Sequence, residues 1–145
     1  DRTVRQVSTA TFDQQFGVDA RAGGLLIAEH ARRHLEREDD WGRIVTLSSG
    51  GPDGFPGEVT YGAAKAALDN YVMSAAAELG AHGITANAVH PPVTDTGWVT
   101  DAVETFVEGS WTHHHVATPE EVAATLSWLC SDASWLVTGN RIVLR

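Results

Sequence analysis

Apolar residues along this chain alternate between helical spacing and short unbroken runs. In three long segments they recur every three or four positions, which is the period of an amphipathic helix. Between these segments lie short β-branched runs such as RIVTL, which are typical of buried strands. Gly80 and Gly83 end the second helix, and a Thr-Pro-Glu-Glu capping box starts the third. The predicted helices cover residues 11–37, 59–79 and 119–131, and the predicted strands cover 43–47, 84–89 and 141–144.

The order of these elements, helix and strand in strict alternation, predicts the fold class. Right-handed crossovers between successive strands make the strands parallel and place helices on both faces of the sheet. We therefore predict an α/β fold with a doubly wound, Rossmann-like parallel sheet of about three strands and three main helices. The first ten residues and the glycine-rich stretch 50–57 are predicted loops. No repeat or linker divides the sequence, so residues 1–145 are predicted to form a single domain.

Charge and composition narrow the range of functions. The net charge is −9, which argues against a nucleic-acid partner because such surfaces need clustered Lys and Arg. No apolar run reaches the roughly 18 residues of a membrane-spanning helix, so no membrane partner is expected. Cys130 is the single cysteine, which excludes an intrachain disulfide and fits a cytoplasmic location. It falls on the predicted inner face of the third helix, so we expect it in the core.

Ser49, Tyr61 and Lys65 have a spacing that suits carbonyl chemistry. The strand 43–47 ends in Ser48-Ser49, and the next helix carries Tyr61 and Lys65 one turn apart, on the same face. In an open α/β sheet the carboxyl end of a strand and the start of the next helix meet at the edge where ligands bind. We therefore expect these side chains to lie together at that edge.

Each of these residue types has a use there. Reduction of a ketone by hydride needs a proton for the developing alkoxide, and a tyrosine hydroxyl can give one. A cation within about 4–6 Å favours the resulting tyrosinate, and Lys65 is placed to supply it. Ser49 can hydrogen-bond the carbonyl oxygen, and Ser48 is the alternative for that role. The alternative for Tyr61 and Lys65 is an ordinary amphipathic pair on a helix.

A run of three histidines, residues 113–115, raises the question of a metal. Ligands at three consecutive positions do not share a helical face, and no acidic or cysteine partner is evident nearby, so we predict no metal site. His90, at the end of the second predicted strand, either contacts a substrate or cofactor or packs at the strand end.

The motifs together resemble the short-chain dehydrogenase/reductase family. Ser49 followed by YGAAK at 61–65 is similar to that family's catalytic Ser and YxxxK. Four further segments are similar in the same order, and the resemblance covers residues 11 to 144. They are FGVDARA at 16–22, GRIVTLSS at 42–49, GITANAVHPPVTDT at 83–96, and ATPEEVA at 117–123 with the closing run 131–140.

The resemblance implies a function and its residues. Tyr61 would be the general acid/base, Lys65 would assist it and bind the nicotinamide ribose, and Ser49 would orient the carbonyl of a small ketone, aldehyde or alcohol. The cofactor would be NAD or NADP. Helices 11–37 and 59–79 would form the contact of a homodimer or homotetramer. The implied cofactor-binding residues are Tyr61, Lys65, Pro91, Val93 and Thr96.

A substrate lid is also implied, over residues 94–116. Three aromatic residues fall in it, namely Trp98, Phe106 and Trp111. They either line an apolar substrate pocket or pack the lid on the core.

The sequence departs from the family pattern at several points. The glycine-rich cofactor loop is missing, so we expect the chain to be the carboxyl-terminal part of a longer protein, with strand 43–47 at an open sheet edge. Asp19, the fourth catalytic candidate, stands where the family has a proton-relay Asn, and an ionised carboxylate accepts but cannot donate a hydrogen bond. Pro92 replaces a glycine. The alternative function is therefore a non-catalytic, dimer-forming remnant or a half-enzyme.

Overall fold

A parallel three-stranded sheet forms the centre of the computed structural model, which describes residues 1–51 and 54–145. The strands are β1 (Gly42–Leu47), β2 (Ile84–His90) and β3 (Asn140–Val143), and their order across the sheet is β1-β2-β3. Gly42 pairs with Ile84, and Asn87 pairs with Asn140. The predicted α/β class with parallel strands is confirmed.

Five α-helices accompany the sheet in the part of the chain that the structure describes. They are α1 (Thr9–Gln15), α2 (Gly23–Glu36), α3 (Val59–Leu79), α4 (Asp101–Glu108) and α5 (Pro119–Leu129). Thr118 caps α5, since its side chain accepts a hydrogen bond from the Glu121 amide and Glu121 reciprocates at the Thr118 amide. The sequence pattern therefore located α3 and α5 closely.

The core lies between α3 and one face of the sheet. Val72, Ala75 and Leu79 of α3 pack against alternate residues of the strands, because successive strand side chains point to opposite faces. Ile27 and Ala31 of α2 join the edge of this cluster. On β2 every residue from 84 to 89 is buried, as expected for a central parallel strand covered on both sides.

The first helical region differs from the prediction in its start and in its hydrogen-bonding pattern. The helix starts at Thr9, where Ser8 accepts a hydrogen bond from the Thr11 amide, and Phe16–Ala22 forms a π-helical segment between α1 and α2. A π-helical segment inserts an extra residue into the turn, and no apolar period signals it. The segment carries Asp19, and such segments are frequent at functional sites.

Two other predictions need correction. The lid was not predicted to contain a helix, yet residues 101–108 form α4. Cys130 was expected in the core but is exposed, because α5 ends at Leu129 and Cys130 is its C-cap. The predicted loop 50–57 includes residues 52 and 53, which lie outside the described residues.

The positions of the strands show where their carboxyl ends meet, which is the edge of the sheet where a ligand is expected. β1 is at one edge of the described sheet, as predicted, and the chain leaves β1 and β2 on the same side through Ser48 and Pro91. The Ser48 amide donates to the Val89 carbonyl at 2.7 Å, which keeps the two strand ends together. No helix in the described part of the chain is long and apolar enough to span a membrane.

Candidate active site

Tyr61, Lys65 and Asp19 come together where the start of α3 meets the π-helical segment. Lys65 Nζ lies 5.5 Å from the centre of the Tyr61 ring, which follows from their placement one helical turn apart. It also lies 3.0 Å from Asp19 Oδ1 and donates to the Leu47 carbonyl oxygen at 3.2 Å. The ammonium therefore bridges β1, α3 and the π-helical segment.

This Lys65–Asp19 ion pair is mostly shielded from water. The Lys65 side chain is 14% exposed and that of Asp19 15%, so the charges interact more strongly than a surface pair. An ammonium has three donors, and two of them are directed to Asp19 and Leu47, so one remains for a ligand. The sequence placed Asp19 near the site, but not in direct contact with Lys65.

Ser48 and Ser49 differ sharply in their surroundings. Ser48 is buried, and its hydroxyl donates to Asp69 Oδ2 at 2.6 Å. Ser49 lines an open pocket. The Ser48 hydroxyl is thus committed to the interior, and Ser49 is the serine placed to contact a small molecule.

Two neighbouring pockets lie at this edge of the sheet. The first, here called the tyrosine pocket, has a volume of about 510 Å³ and contains Tyr61, Pro91 and Thr96 in its walls, with Val122 and Leu126 of α5 opposite. The second, here called the serine pocket, has a volume of about 620 Å³. It is lined by Ser49, Phe55, His90, Trp98, Phe106, His113 and ten further residues.

The predicted cofactor residues divide between these pockets. Pro91 borders both, Thr96 borders the tyrosine pocket, and Val93 borders the serine pocket. Pro92 also borders both pockets, so its ring occupies wall space that a glycine would leave open. The walls of the tyrosine pocket are mostly apolar, and the Lys65 ammonium lies 5.5 Å from the centre of the Tyr61 ring that forms part of them.

The lid aromatics do not share one role. Trp98 and Phe106 line the serine pocket, whereas Trp111 is 99% exposed and neither lines this pocket nor packs on the core. Trp98 is fixed by a hydrogen bond of 2.9 Å from its indole N–H to the Thr94 carbonyl.

Arg141 and Asp69 form a polar cluster that the sequence analysis missed. Arg141 Nε lies 3.1 Å from Asp69 Oδ2 and 3.2 Å from Ser48 Oγ. Its Nη2 donates to the Gly50 carbonyl and contacts His90 Nδ1 at 2.9 Å. The signal was a charged residue at the start of an apolar strand, together with an acidic residue in a helix packed beside it.

The histidine run does not converge. His115 Nε2 lies 3.0 Å from Glu121 Oε1, and the His113 ring packs against Phe106 with 5.7 Å between ring centres. Over residues 1–51 and 54–145, no three His, Cys, Asp or Glu side chains are grouped so that they could hold a metal ion.

A strand-end serine and a Tyr–Lys pair on the next helix thus lie at the carboxyl edge of a parallel sheet, which is the edge where open α/β folds bind ligands. The family model described as "Enoyl-(Acyl carrier protein) reductase" matches residues 1–144. The chain belongs to the short-chain dehydrogenase/reductase family.

Individual relatives agree with this assignment. The chain is 36% identical over 135 residues to the uncharacterized oxidoreductase YjdA of Bacillus subtilis, covering 91% of this chain and 53% of that protein. It is 37% identical over 140 residues to cis-4-hydroxycyclohexanecarboxylate dehydrogenase of Sinomonas cyclohexanicum, covering 94% and 55%.

Solved structures support the same family assignment. The angucycline C-6 ketoreductase LanV with bound NADP superposes with a TM-score of 0.81 at 31% identity, covering 96% of this chain and 54% of that one. The reductase LugOII, which catalyses a keto-reduction in lugdunomycin biosynthesis, superposes with a TM-score of 0.82 at 30% identity, covering 96% and 55%. The chain thus spans about half the length of the relatives that it matches.

Proposed function

We propose that this chain carries the catalytic half of an NAD(P)-dependent oxidoreductase that interconverts a ketone or aldehyde and an alcohol. The observation that supports this most directly is the placement of Lys65. Its ammonium lies beside the Tyr61 ring and keeps one donor for a ligand. The relatives bind NADP or are named dehydrogenases and reductases, which agrees with the proposal.

Each residue has a chemical task in this proposal. The nicotinamide cofactor supplies or removes a hydride. The Tyr61 hydroxyl gives its proton to the oxygen of the reduced carbonyl, and it accepts that proton in the reverse direction. Lys65 stabilises the tyrosinate by its charge, and Ser49 donates a hydrogen bond to the same oxygen.

Asp19 is a positioning residue in this scheme. Its carboxylate holds Lys65 from the side of the π-helical segment, while the Leu47 carbonyl holds it from β1. The two contacts restrain the flexible four-carbon side chain, so that the ammonium stays beside Tyr61. In this scheme a direct ion pair would stand where the family resemblance implies a relay through Asn.

The residues present fit one end of the cofactor. Tyr61, Pro91 and Thr96 border one pocket, and the Lys65 ammonium lies 5.5 Å from the centre of the Tyr61 ring. These residues would hold the nicotinamide and its ribose. No glycine-rich loop for the pyrophosphate occurs in this sequence, so that part of the site would have to come from other residues of the whole protein.

Assembly into a homodimer or homotetramer is part of the same proposal. Leu25 and Leu26 of α2 and Tyr71 of α3 are exposed apolar residues, with Leu26 72% exposed. Light scattering after size-exclusion chromatography would measure the mass, and Leu26→Glu should reduce it to that of a monomer. A cytoplasmic location stays a prediction.

The activity test is steady-state oxidation of NADH or NADPH by ketones, with the protein expressed from its complete reading frame. Tyr61→Phe should lower kcat by at least about 100-fold, because it removes the proton donor. Tyr71→Phe is the matched control on the same helix and should change kcat by less than about twofold.

A second pair of variants tests the serine. Ser49→Ala should lower kcat by about 100-fold, because it removes a donor to the developing oxyanion. Ser74→Ala on α3, where the hydroxyl donates to the Asn70 carbonyl at 3.0 Å, is its control. Full activity of Tyr61→Phe would contradict the proposal. Cofactor binding without turnover of any ketone would favour the non-catalytic alternative.

A further inference from the structure

The serine pocket combines a mostly apolar lining with a few polar and charged side chains. Most of its lining is apolar, with Phe55, Trp98 and Phe106 as the large members. His90, His113 and Arg145 also line it, and the described lining residues include no Asp or Glu. The charged and polar side chains among these described residues therefore suit an oxygen acceptor.

Arg141 determines the tautomer of His90. A guanidinium only donates hydrogen bonds, so the 2.9 Å contact from Arg141 Nη2 requires His90 Nδ1 to be the acceptor. The neutral ring then carries its hydrogen on Nε2. Arg141 is itself held by Asp69, Ser48 and the Gly50 carbonyl, so its position relative to His90 is restrained from several sides.

The Nε2–H group of His90 is available to a ligand. No side chain or carbonyl in the described part of the chain accepts from it, and the half-buried His90 ring lines the serine pocket. The pKa of His90 is lowered, first by burial and then by Arg141, which keeps the ring neutral near pH 7. His90 directly precedes Pro91, which borders both pockets.

We propose that His90, held in its Nε2–H form by Arg141, is a specificity-determining donor for substrates that carry a second acceptor oxygen besides the reacting carbonyl, of the class of oxo esters. This inference rests on the proposed function, since it needs a ketone substrate. It adds that the apolar body of the ketone lies in the serine pocket. The reacting carbonyl faces Ser49, and the second oxygen accepts from His90.

Paired ketones test the specificity in the protein expressed from its complete reading frame. The pairs are ethyl acetoacetate with hexyl methyl ketone, and ethyl levulinate with heptyl methyl ketone, which match in size and differ in the ester. His90→Leu should lower the ratio of kcat/KM for the ester over the alkyl ketone by about tenfold, the effect of one hydrogen bond. His90→Gln restores a donor and should recover most of the ratio. The exposed His114 supplies the control, and His114→Leu should leave the ratio unchanged.

Nitrogen-15 NMR of histidine-labelled protein tests the tautomer without any turnover. The His90 signals, assigned by their loss in His90→Gln, should show the Nε2–H pattern at pH 7.5 or above, where free histidine is neutral. An Nδ1–H pattern would overturn the inference, as would an ester-to-ketone ratio that His90→Leu leaves unchanged. If no ketone is turned over by the wild type, the proposed function fails, and the specificity role of His90 fails with it even if the NMR shows the Nε2–H form.

Discussion

Asp19 and Lys65 form an ion pair of 3.0 Å between two segments that are far apart in the sequence. Asp19 lies in the π-helical segment Phe16–Ala22, and Lys65 lies on α3. Because both side chains are about 85% shielded from water, the two charges attract each other more strongly than those of a surface pair, and removal of either one leaves the other poorly hydrated. It joins the first helical region to the helix that carries Tyr61.

Removal of the Asp19 carboxylate should destabilise the fold. Asp19→Ala leaves a mostly buried ammonium with the Leu47 carbonyl as its remaining protein partner, and we expect a loss of about 1–3 kcal/mol in the free energy of unfolding. Asp19→Asn keeps an acceptor and should lose less. Urea denaturation measures both, with Asp13→Ala on the exposed face of α1 as the control. If the changes in the free energy of unfolding caused by Asp19→Ala and Lys65→Met simply add in a double-mutant cycle, the two residues do not interact.

Arg141 should be important for both stability and activity. Arg141→Met removes the donor to Ser48, Gly50 and His90 and leaves Asp69 without its ion pair, which should cost about 2–4 kcal/mol. Since Ser48 and Gly50 flank Ser49, kcat should fall as well.

The control for this prediction is an arginine in a solvent-exposed ion pair. Arg32 on α2 is 60% exposed and pairs with Glu29, so Arg32→Met should change the free energy of unfolding by less than about 1 kcal/mol. Equal effects of the two arginine substitutions on chemical denaturation would show that the polar cluster contributes no more than a surface contact.

Gly83 should not tolerate a side chain. Its φ is +75°, a conformation that favours glycine, and an added Cβ would lie 1.8 Å from the Asp40 carbonyl oxygen. We expect Gly83→Ala to lower the free energy of unfolding by more than about 2 kcal/mol.

Gly80 provides a matched comparison at the other end of the same turn. It has a helical φ of −57°, and nothing lies within 4 Å of an added Cβ. Gly80→Ala should therefore be neutral or stabilise by about 0.4–1 kcal/mol. Thermal unfolding followed by circular dichroism measures both variants, and similar melting temperatures for the two would contradict the argument.

The stability of the protein should fall with acid partly through His90. Its pKa lies below the ordinary 6.5 because burial and then Arg141 disfavour the imidazolium, an effect that Asp69 opposes and that His113 and Arg145 increase. With the folded pKa lowered, the unfolded chain takes up the proton first. The contribution of neutral His90 to the free energy of unfolding is therefore complete above pH 6.5. It is lost as the pH falls from there through the pKa of His90 in the folded state.

Comparison with His90→Gln isolates this contribution from the other histidines. As the pH is lowered below 6.5, the free energy of unfolding should fall more for the wild type than for His90→Gln. A difference that stays constant from pH 8 to pH 5 would show that the His90 pKa does not change on folding.

Local sequence signals predicted the elements that depend on local chemistry. The bounds of α3 match the prediction. Gly80 is the C-cap of this helix, and Gly83, three residues later, has the left-handed conformation that favours glycine. The start of α5 matches because the Thr118 capping box acts within one turn. The π-helical segment was missed, since it differs from an α-helix by one residue in a turn and leaves no periodic signal. Cys130 was misplaced, because the exact end of a helix has no sharp sequence signal here and α5 ends one residue before Cys130.

The sequence by itself determined the α/β class, the parallel strands and the placement of Tyr61 beside Lys65, because periodicity and helical spacing act over a few residues. The catalytic role of Ser49, Tyr61 and Lys65 stays a prediction. Only the tertiary structure decided which polar groups of distant segments come into contact. Lys65 is paired with Asp19, and Arg141 reaches His90, through contacts between segments tens of residues apart. Such contacts depend on how helices pack on strands, and no local pattern encodes that distance.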